Sequence, residues 1–346
     1  MVKRRFIWLS LLIAFFLLPW ISSSQAQTKF KVTLTEDWIL YGAQAPEVLA
    51  REKGYYAKEG IEVEIVRGYG PGDTVKRVTT GRSEFGRSAA VSDILGRAAG
   101  AKVKIVAVPM LTPPFGVAYL KSGGIGKPKD LEGKKLGAPA AASAYRMFSP
   151  FAKATGIDLA KVKVVNMGPG ALVPSLASKS IDVSIMFLTD IPAFEKAAKQ
   201  RGEAISYLLF ADYGVRDMYG NTFIASDDMV KKNPKAVRGF VRASLRGLSY
   251  TINHPDEGVR AFMKLSPTSN PAITKAEWLH AARLAFDDLY KKNGLGLVDP
   301  GRMKASLKLV KKYFELKGSV SPEEVYTNEF VLATPMDWRR AKRPGL

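Results

Sequence analysis

The sequence predicts an α/β protein built from two similar units in series, followed by a helical section with no strands of its own. Three observations predict this. Segments of strand period alternate with segments of helical period over residues 29–107. The alternation restarts after "FGVAYLKSG" and continues to residue 210. Beyond "NTFIASDDM" only helical spacing remains. Such alternation implies a parallel sheet covered by helices, and late helices must pack on a sheet laid down earlier.

In the first unit, "KFKVTLT" (29–35) alternates as a half-buried strand does. Ala45, Val48 and Leu49 fall at helical spacing between Ala43 and Lys53, and Gly54 can end that helix in a left-handed cap. After a turn at Gly60, Ile61, Val63 and Ile65 alternate with Glu62 and Glu64. "GYGPGDTVKRVTTG" supplies a glycine turn, Asp73 as N-cap, a short helix and a closing Gly81. "EFGRSAA" is a strand, "VSDILGRAAG" a helix ended by Gly100, and "KVKIVAVP" an almost continuous apolar strand.

In the second unit, "KDLEGKKLGAP" reads as one helical turn, a glycine break and a strand. "SAYRMFSPFAKATG" is helical, with Pro150 expected to kink or split it. "KVVNM", "DVSIMF" and "AISYLLF" are strands separated by the helices "ALVPSLASKSI" and "DIPAFEKAAKQRG". In the last section Val237, Phe240, Val241, Leu245, Leu248 and Ile252 form a stripe for burial, and helices follow at 274–291 and 301–317.

The first 26 residues read as a secretory leader rather than as part of the fold. Lys3, Arg4 and Arg5 precede the apolar run "FIWLSLLIAFFLLPW", and Ser24-Gln25-Ala26 places small residues at the −3 and −1 positions of a cleavage site. Cleavage after Ala26 would leave a soluble exported chain in a bacterial periplasm. With 0 cysteines in 346 residues there is no disulfide, no thiolate chemistry and no lipid anchor at the leader's end. The formal charge of +20, from 52 Lys+Arg against 32 Asp+Glu, raises nucleic-acid binding as a class. The basic residues are scattered in pairs such as Lys231-Lys232 and Lys311-Lys312 on helical faces, and no nucleic-acid motif accompanies them. A solvated surface explains them, and no nucleic acid is expected.

Five segments in order carry a family resemblance: "AREKGYYAKEGIEVEIV", "EFGRSAAVSDILGRAAGAKVKIVAV", "KDLEGKKLGAP", "SLASKSIDVSI" and "NTFIASDDMVKKNPKAVRGFVRAS". The chain resembles the type 2 periplasmic binding proteins, in the branch of nitrate/sulfonate/taurine binders and thiamine-pyrimidine-precursor binders and synthases. The resemblance implies two Rossmann-like lobes joined by two crossing strands, "GVAYL" and "NTFIA", with a ligand cleft between them. It places lobe one at 28–117 plus 224–346 and lobe two at 118–223. It further implies a monomer that captures a small molecule for an ABC importer, whose permease it contacts directly and whose ATPase is a separate chain, with no cofactor.

Ligands of open α/β sheets lie at the carboxyl ends of strands, which here present "EDWILYG", "RGYGPG", "GRSAA", "PAAASAY" and "FLTDI". Trp38 and Tyr41 could sandwich a planar ligand, with core packing as the alternative. Ser88 and the amides of Ala89 and Ala90 open one helix, and Ser143 with the amides near Ala144 and Tyr145 opens another. These are donors to an anion or carbonyl, or plain caps. Arg87 could fork a carboxylate or sulfonate, or lie on the Phe85 side of its strand and snorkel at an edge. Asp190 could cap its helix or accept from a ligand amine or ring N–H. The ligand classes left open are a planar nitrogen heterocycle and a small sulfonate or carboxylate.

An enzyme is the less favoured reading. There is no cysteine, and the only histidines are His254, in a turn, and His280, on a helix expected far from any strand end. No nucleophile elbow or zinc signature occurs. A receptor docking on a sensor protein and a pyrimidine-precursor synthase remain as alternatives.

Overall fold

The structure is a computed structural model that describes residues 29–342, so the expected leader and the last four residues of the basic tail lie outside it. Among the described residues the strands form two five-stranded sheets. β1 (Phe30–Thr35), β2 (Ile61–Val66), β3 (Phe85–Ala89) and β4 (Val103–Ala107) belong to the first. β5 (Phe115–Leu120), β6 (Lys135–Ala138), β7 (Lys163–Asn166), β8 (Val183–Phe187) and β9 (Ile205–Leu209) form the second, and β10 (Asn221–Ser226) returns to the first. The orders are β2-β1-β3-β10-β4 and β7-β6-β8-β5-β9.

The expectation of parallel sheets needs correction. β1, β2 and β3 are parallel, as are β6, β7 and β8, but β10 runs against β3 and β4, and β5 against β8 and β9. Parallel neighbours need a helical crossover. The chain instead passes between the sheets twice, at 108–114 and 210–220, and each passage delivers a strand in the reverse direction. The two passages run side by side. A Cβ on Gly220 would sit 2.5 Å from the Thr112 carbonyl oxygen, and Arg302 donates to the carbonyls of Leu111 (2.7 Å) and Met218 (3.3 Å). The expected boundaries at 117 and 224 fall within β5 and β10, a few residues beyond these passages.

Local chemistry explains most elements. Gly54 and Gly60 adopt φ of 68° and 77°, the left-handed region where a Cβ is penalised. They bracket a single helical turn, Tyr55–Lys58. Asp73 is not the N-cap of helix Pro71–Thr79. Gly70 holds that position, and Asp73 accepts from Arg77 at 2.7 Å one turn on. Pro150 neither splits nor ends its helix, which continues over Ser143–Thr155 with the proline buried, at the cost of one backbone donor. The expected helix at 274–291 is two pieces, Pro271–Arg283 and Asp288–Asn293, the second capped by the Asp287 side chain. The stripe from Val237 to Ile252 is buried, and helix Pro234–Asn253 stacks Phe240 on Phe85 of β3 at 3.9 Å. The late helices thus cover the first sheet, each fully buried large apolar side chain contributing about 1.5–3 kcal/mol.

Candidate functional site

The loop leaving β1 reaches across to the second sheet. Trp38 is 3% exposed and meets Phe187, the last residue of β8, edge-on with ring centres 5.4 Å apart. Tyr41 hydrogen-bonds through its hydroxyl to Thr189 at 3.0 Å. The next residue must be glycine, since a Cβ on Gly42 would stand 2.1 Å from the Thr274 carbonyl oxygen. The Gly42 N–H donates instead to Glu277 at 2.8 Å, which seats helix Pro271–Arg283 against the loop.

These contacts enclose a cavity of ≈ 60 Å³. Trp38, Tyr41 and Glu277 line it from the first half of the molecule, and Leu172, Asp190 and Phe194 from the second. None of its lining side chains is basic. Its volume lies well below the roughly 300 Å³ at which ligand pockets begin. An organic ligand can therefore enter only if the halves separate.

Two carboxyls share this cavity. Asp190 accepts from the Phe187 N–H at 2.8 Å, and burial, helped by the nearby Glu277 and Asp37, pushes its pKa up to about 7. Burial likewise pushes Glu277 up to about 7, against the pull of the Gly42 N–H. Burial, then Asp37 and Asp190, holds the Tyr41 phenol well above its usual value, so it stays a neutral hydroxyl. Each carboxyl has one backbone donor, and both line the cavity. A ligand amine or ring N–H would restore hydrogen bonding to both, whereas an anion would meet two acids.

Arg87 lies elsewhere. β3 is buried at every position between β1 and β10, so neither a cleft nor an edge is open to it. Its Nη1 donates to the Ala43 carbonyl (2.9 Å) and to Glu47 (3.1 Å), and its Nε is 3.9 Å from Asp37. Asn221 adds hydrogen bonds to Asp37 (2.5 Å) and to the Ser88 carbonyl (3.0 Å). Burial opposes the charge on Arg87, but Glu47, Asp37 and Glu36 outweigh it and hold the pKa above its ordinary value. The expectation that Arg87 binds an anionic ligand, or snorkels at an edge, is corrected to an internal ion cluster.

Ser88, Ala89, Ser143 and Tyr145 also stand apart from the cavity. Ser88 is buried, with its hydroxyl directed at the Pro71 carbonyl (3.4 Å). Ala89 ends β3, and the Ala90 amide that follows is taken by the Gly220 carbonyl at 3.2 Å. Ser143 hydrogen-bonds to Ser92 at 2.9 Å, joining one half of the molecule to the other, and Tyr145 is half-buried against the core. Asp190 does line the cavity, but its side chain accepts from the Phe187 N–H in the preceding turn and does not cap helix Ile191–Lys199. Glu277 was missed by sequence reasoning, as was the nearness of its helix. That helix carries His280 and was expected far from the site, yet it forms one wall of it. The available signal was an acidic residue next to Trp278 on a face meant for burial.

Residues 43–258 match the family model described as NMT1/THI5 like. Among relatives, a 4-amino-5-hydroxymethyl-2-methylpyrimidine phosphate synthase of Legionella pneumophila is 26% identical over 317 residues, covering 90% of this chain and 96% of that protein. The riboflavin-binding protein RibY of Chloroflexus aurantiacus is 28% identical over 311 residues, covering 87% and 86%. Among solved structures, the periplasmic nitrate-binding protein NrtA of Synechocystis superposes with a TM-score of 0.67 at 13% identity, covering 91% of this chain and 92% of that one. The fold is that of the type 2 periplasmic binding proteins.

Proposed function

This chain belongs to the NMT1/THI5-like family, and on that premise we propose that it is a periplasmic solute-binding protein of an ABC importer, capturing a planar nitrogen heterocycle with N–H donors. The observation that carries the reading is the cavity between the two halves: Trp38 and Tyr41 offer aromatic faces, Asp190 and Glu277 offer acceptors, and no basic side chain lines it. A small sulfonate or carboxylate would find no cationic donor there, and Arg87, the expected one, is committed to Glu47 and Asp37. The names of the two relatives point the same way, since one makes a pyrimidine phosphate and the other binds riboflavin.

The lobes that move are the units carrying the two sheets, hinged at 108–114 and 210–220. Loading opens them and ligand closes them, because only the closed form contacts the ligand from both sides. The monomer, its export after cleavage at Ala26, and its docking on a permease with a separate ATPase belong to this reading. Capture without turnover is favoured over synthesis. The chain has no cysteine, and neither His254 nor His280 lines the cavity.

A thermal-shift screen of the exported chain tests the assignment. Aminopyrimidines and flavins should raise Tm by mass action, and taurine, nitrate and small carboxylates should not. Stabilisation by the anions alone would refute it.

A further inference from the structure

The molecule holds a second pocket between its halves, of ≈ 320 Å³, which shares no lining residue with the Trp38 cavity. Gly72, Val75 and Ser92 line it from the first lobe, Arg146 from the second, and Glu315 and Lys317 from the segment after helix Pro300–Tyr313. Arg146 is its distinctive group. The side chain is half-buried, and its Nε is shielded from solvent with no hydrogen-bond partner among the described residues. No carboxylate of the described residues lies within 4.0 Å of it. Arg87, Arg97 and Arg302, also withdrawn from solvent, each have a carboxylate partner. Burial alone acts on Arg146, pushing its pKa down.

The guanidinium lies across the gap between lobes. A Cβ on Gly72 would stand 3.1 Å from its Nη2, so the fork rests over the first turn of helix Pro71–Thr79, the positive end of that helix. A partly desolvated cation set against a positive helix end is uncompensated, and an anion in the pocket would compensate both. The adjoining wall is the Ser92–Ser143 hydrogen bond, itself a contact between lobes. Lys317 adds positive charge at the rim and Glu315 subtracts it.

We propose that this pocket is an oxyanion-binding site, separate from the heterocycle site, in which a small tetrahedral anion held by Arg146 from one lobe and by Ser92 and the Gly72 turn from the other latches the closed form. The inference does not depend on which molecule occupies the Trp38 cavity.

Inorganic phosphate is the probe, titrated into the full exported chain at ionic strength held constant with chloride. Wild type should gain Tm with phosphate and contract in small-angle scattering. Arg146→Gln should weaken phosphate binding about tenfold or more and lose both responses. Arg146→Lys, which keeps the charge but not the fork, should fall between. Glu315→Gln should bind phosphate more tightly than wild type. Without phosphate, Arg146→Gln should melt no lower than wild type, because it removes an uncompensated cation. The proposal is overturned if wild type shows no response beyond chloride, or if Arg146→Gln binds phosphate as well as wild type does. It is equally overturned if Arg146→Gln melts lower with and without phosphate alike, as loss of a structural pin would.

Discussion

Two polar clusters sit side by side where the first sheet meets the second, and they differ in what their polar groups bind. Around Arg87 the cluster is sealed from solvent, although Glu36, Asp37 Oδ1, Glu47 Oε2 and Arg87 Nε have no hydrogen-bond partner among the described residues. Its guanidinium binds Ala43 and Glu47, and Asn221 ties Asp37 to the Ser88 carbonyl. Around Trp38 the cluster is open, with Asp190 and Glu277 each holding one backbone donor and facing a cavity from opposite lobes. A buried charge by itself therefore does not mark a site. Nor do unpartnered polar atoms, since several surround Arg87; the mark is polar groups from both lobes that line a cavity.

The sharpest way to break the comparison is to open the closed cluster. Arg87→Ala leaves Glu47 and Asp37 buried without their cation, which should cost about 3–5 kcal/mol of stability in urea unfolding. If Arg87 were instead a ligand residue, stability would hold and affinity would fall. Trp38→Ala comes next. Losing a buried ring against Phe187 should weaken the heterocycle by about 2 kcal/mol, roughly thirtyfold, in calorimetry on protein checked for folding. An unchanged affinity would place the ligand elsewhere.

A smaller effect concerns protons. Asp190 and Glu277 titrate at about 7 in the folded chain, whereas unfolded carboxyls titrate near about 4. Between these values the folded state binds more protons, so their contribution to stability is full below pH about 4 and is lost as pH rises towards 7. Urea midpoints measured across that window should therefore decline less with pH in Asp190→Asn/Glu277→Gln than in wild type. Asp93, which burial also pushes to about 7, keeps part of the slope in both. An identical slope in the two proteins would show that the cavity carboxyls titrate normally.

Much of this architecture was legible in the sequence, because strand and helix periods are local. The turns at Gly54 and Gly60, the strand Ile61–Val66 and the stripe from Val237 to Ile252 need only their own neighbours to be read. The reversed strands β5 and β10 were not legible, since direction depends on passages whose course is tertiary. The site divides the same way. Trp38, Tyr41 and Asp190 follow from strand-end position, and all line the cavity. Arg87 looked free because its partners Glu47 and Asp37 lie 40 and 50 residues away along the chain. Leu172 and Phe194 read as ordinary core. Glu277 reaches the site from a helix 236 residues beyond Tyr41, the loop residue it joins in lining the cavity.

The central claim is that Asp190 and Glu277 accept from one heterocyclic ligand between the lobes. Calorimetric titration of 4-amino-5-hydroxymethyl-2-methylpyrimidine, riboflavin and taurine into wild type, Asp190→Asn and Glu277→Gln tests it most directly. At least one heterocycle should bind wild type, lose about tenfold or more in each variant as a charge-assisted hydrogen bond is removed, and bind more tightly at pH 8 than at pH 6. Taurine should bind none of them. Taurine binding to wild type that strengthens when either acid is neutralised would contradict the claim.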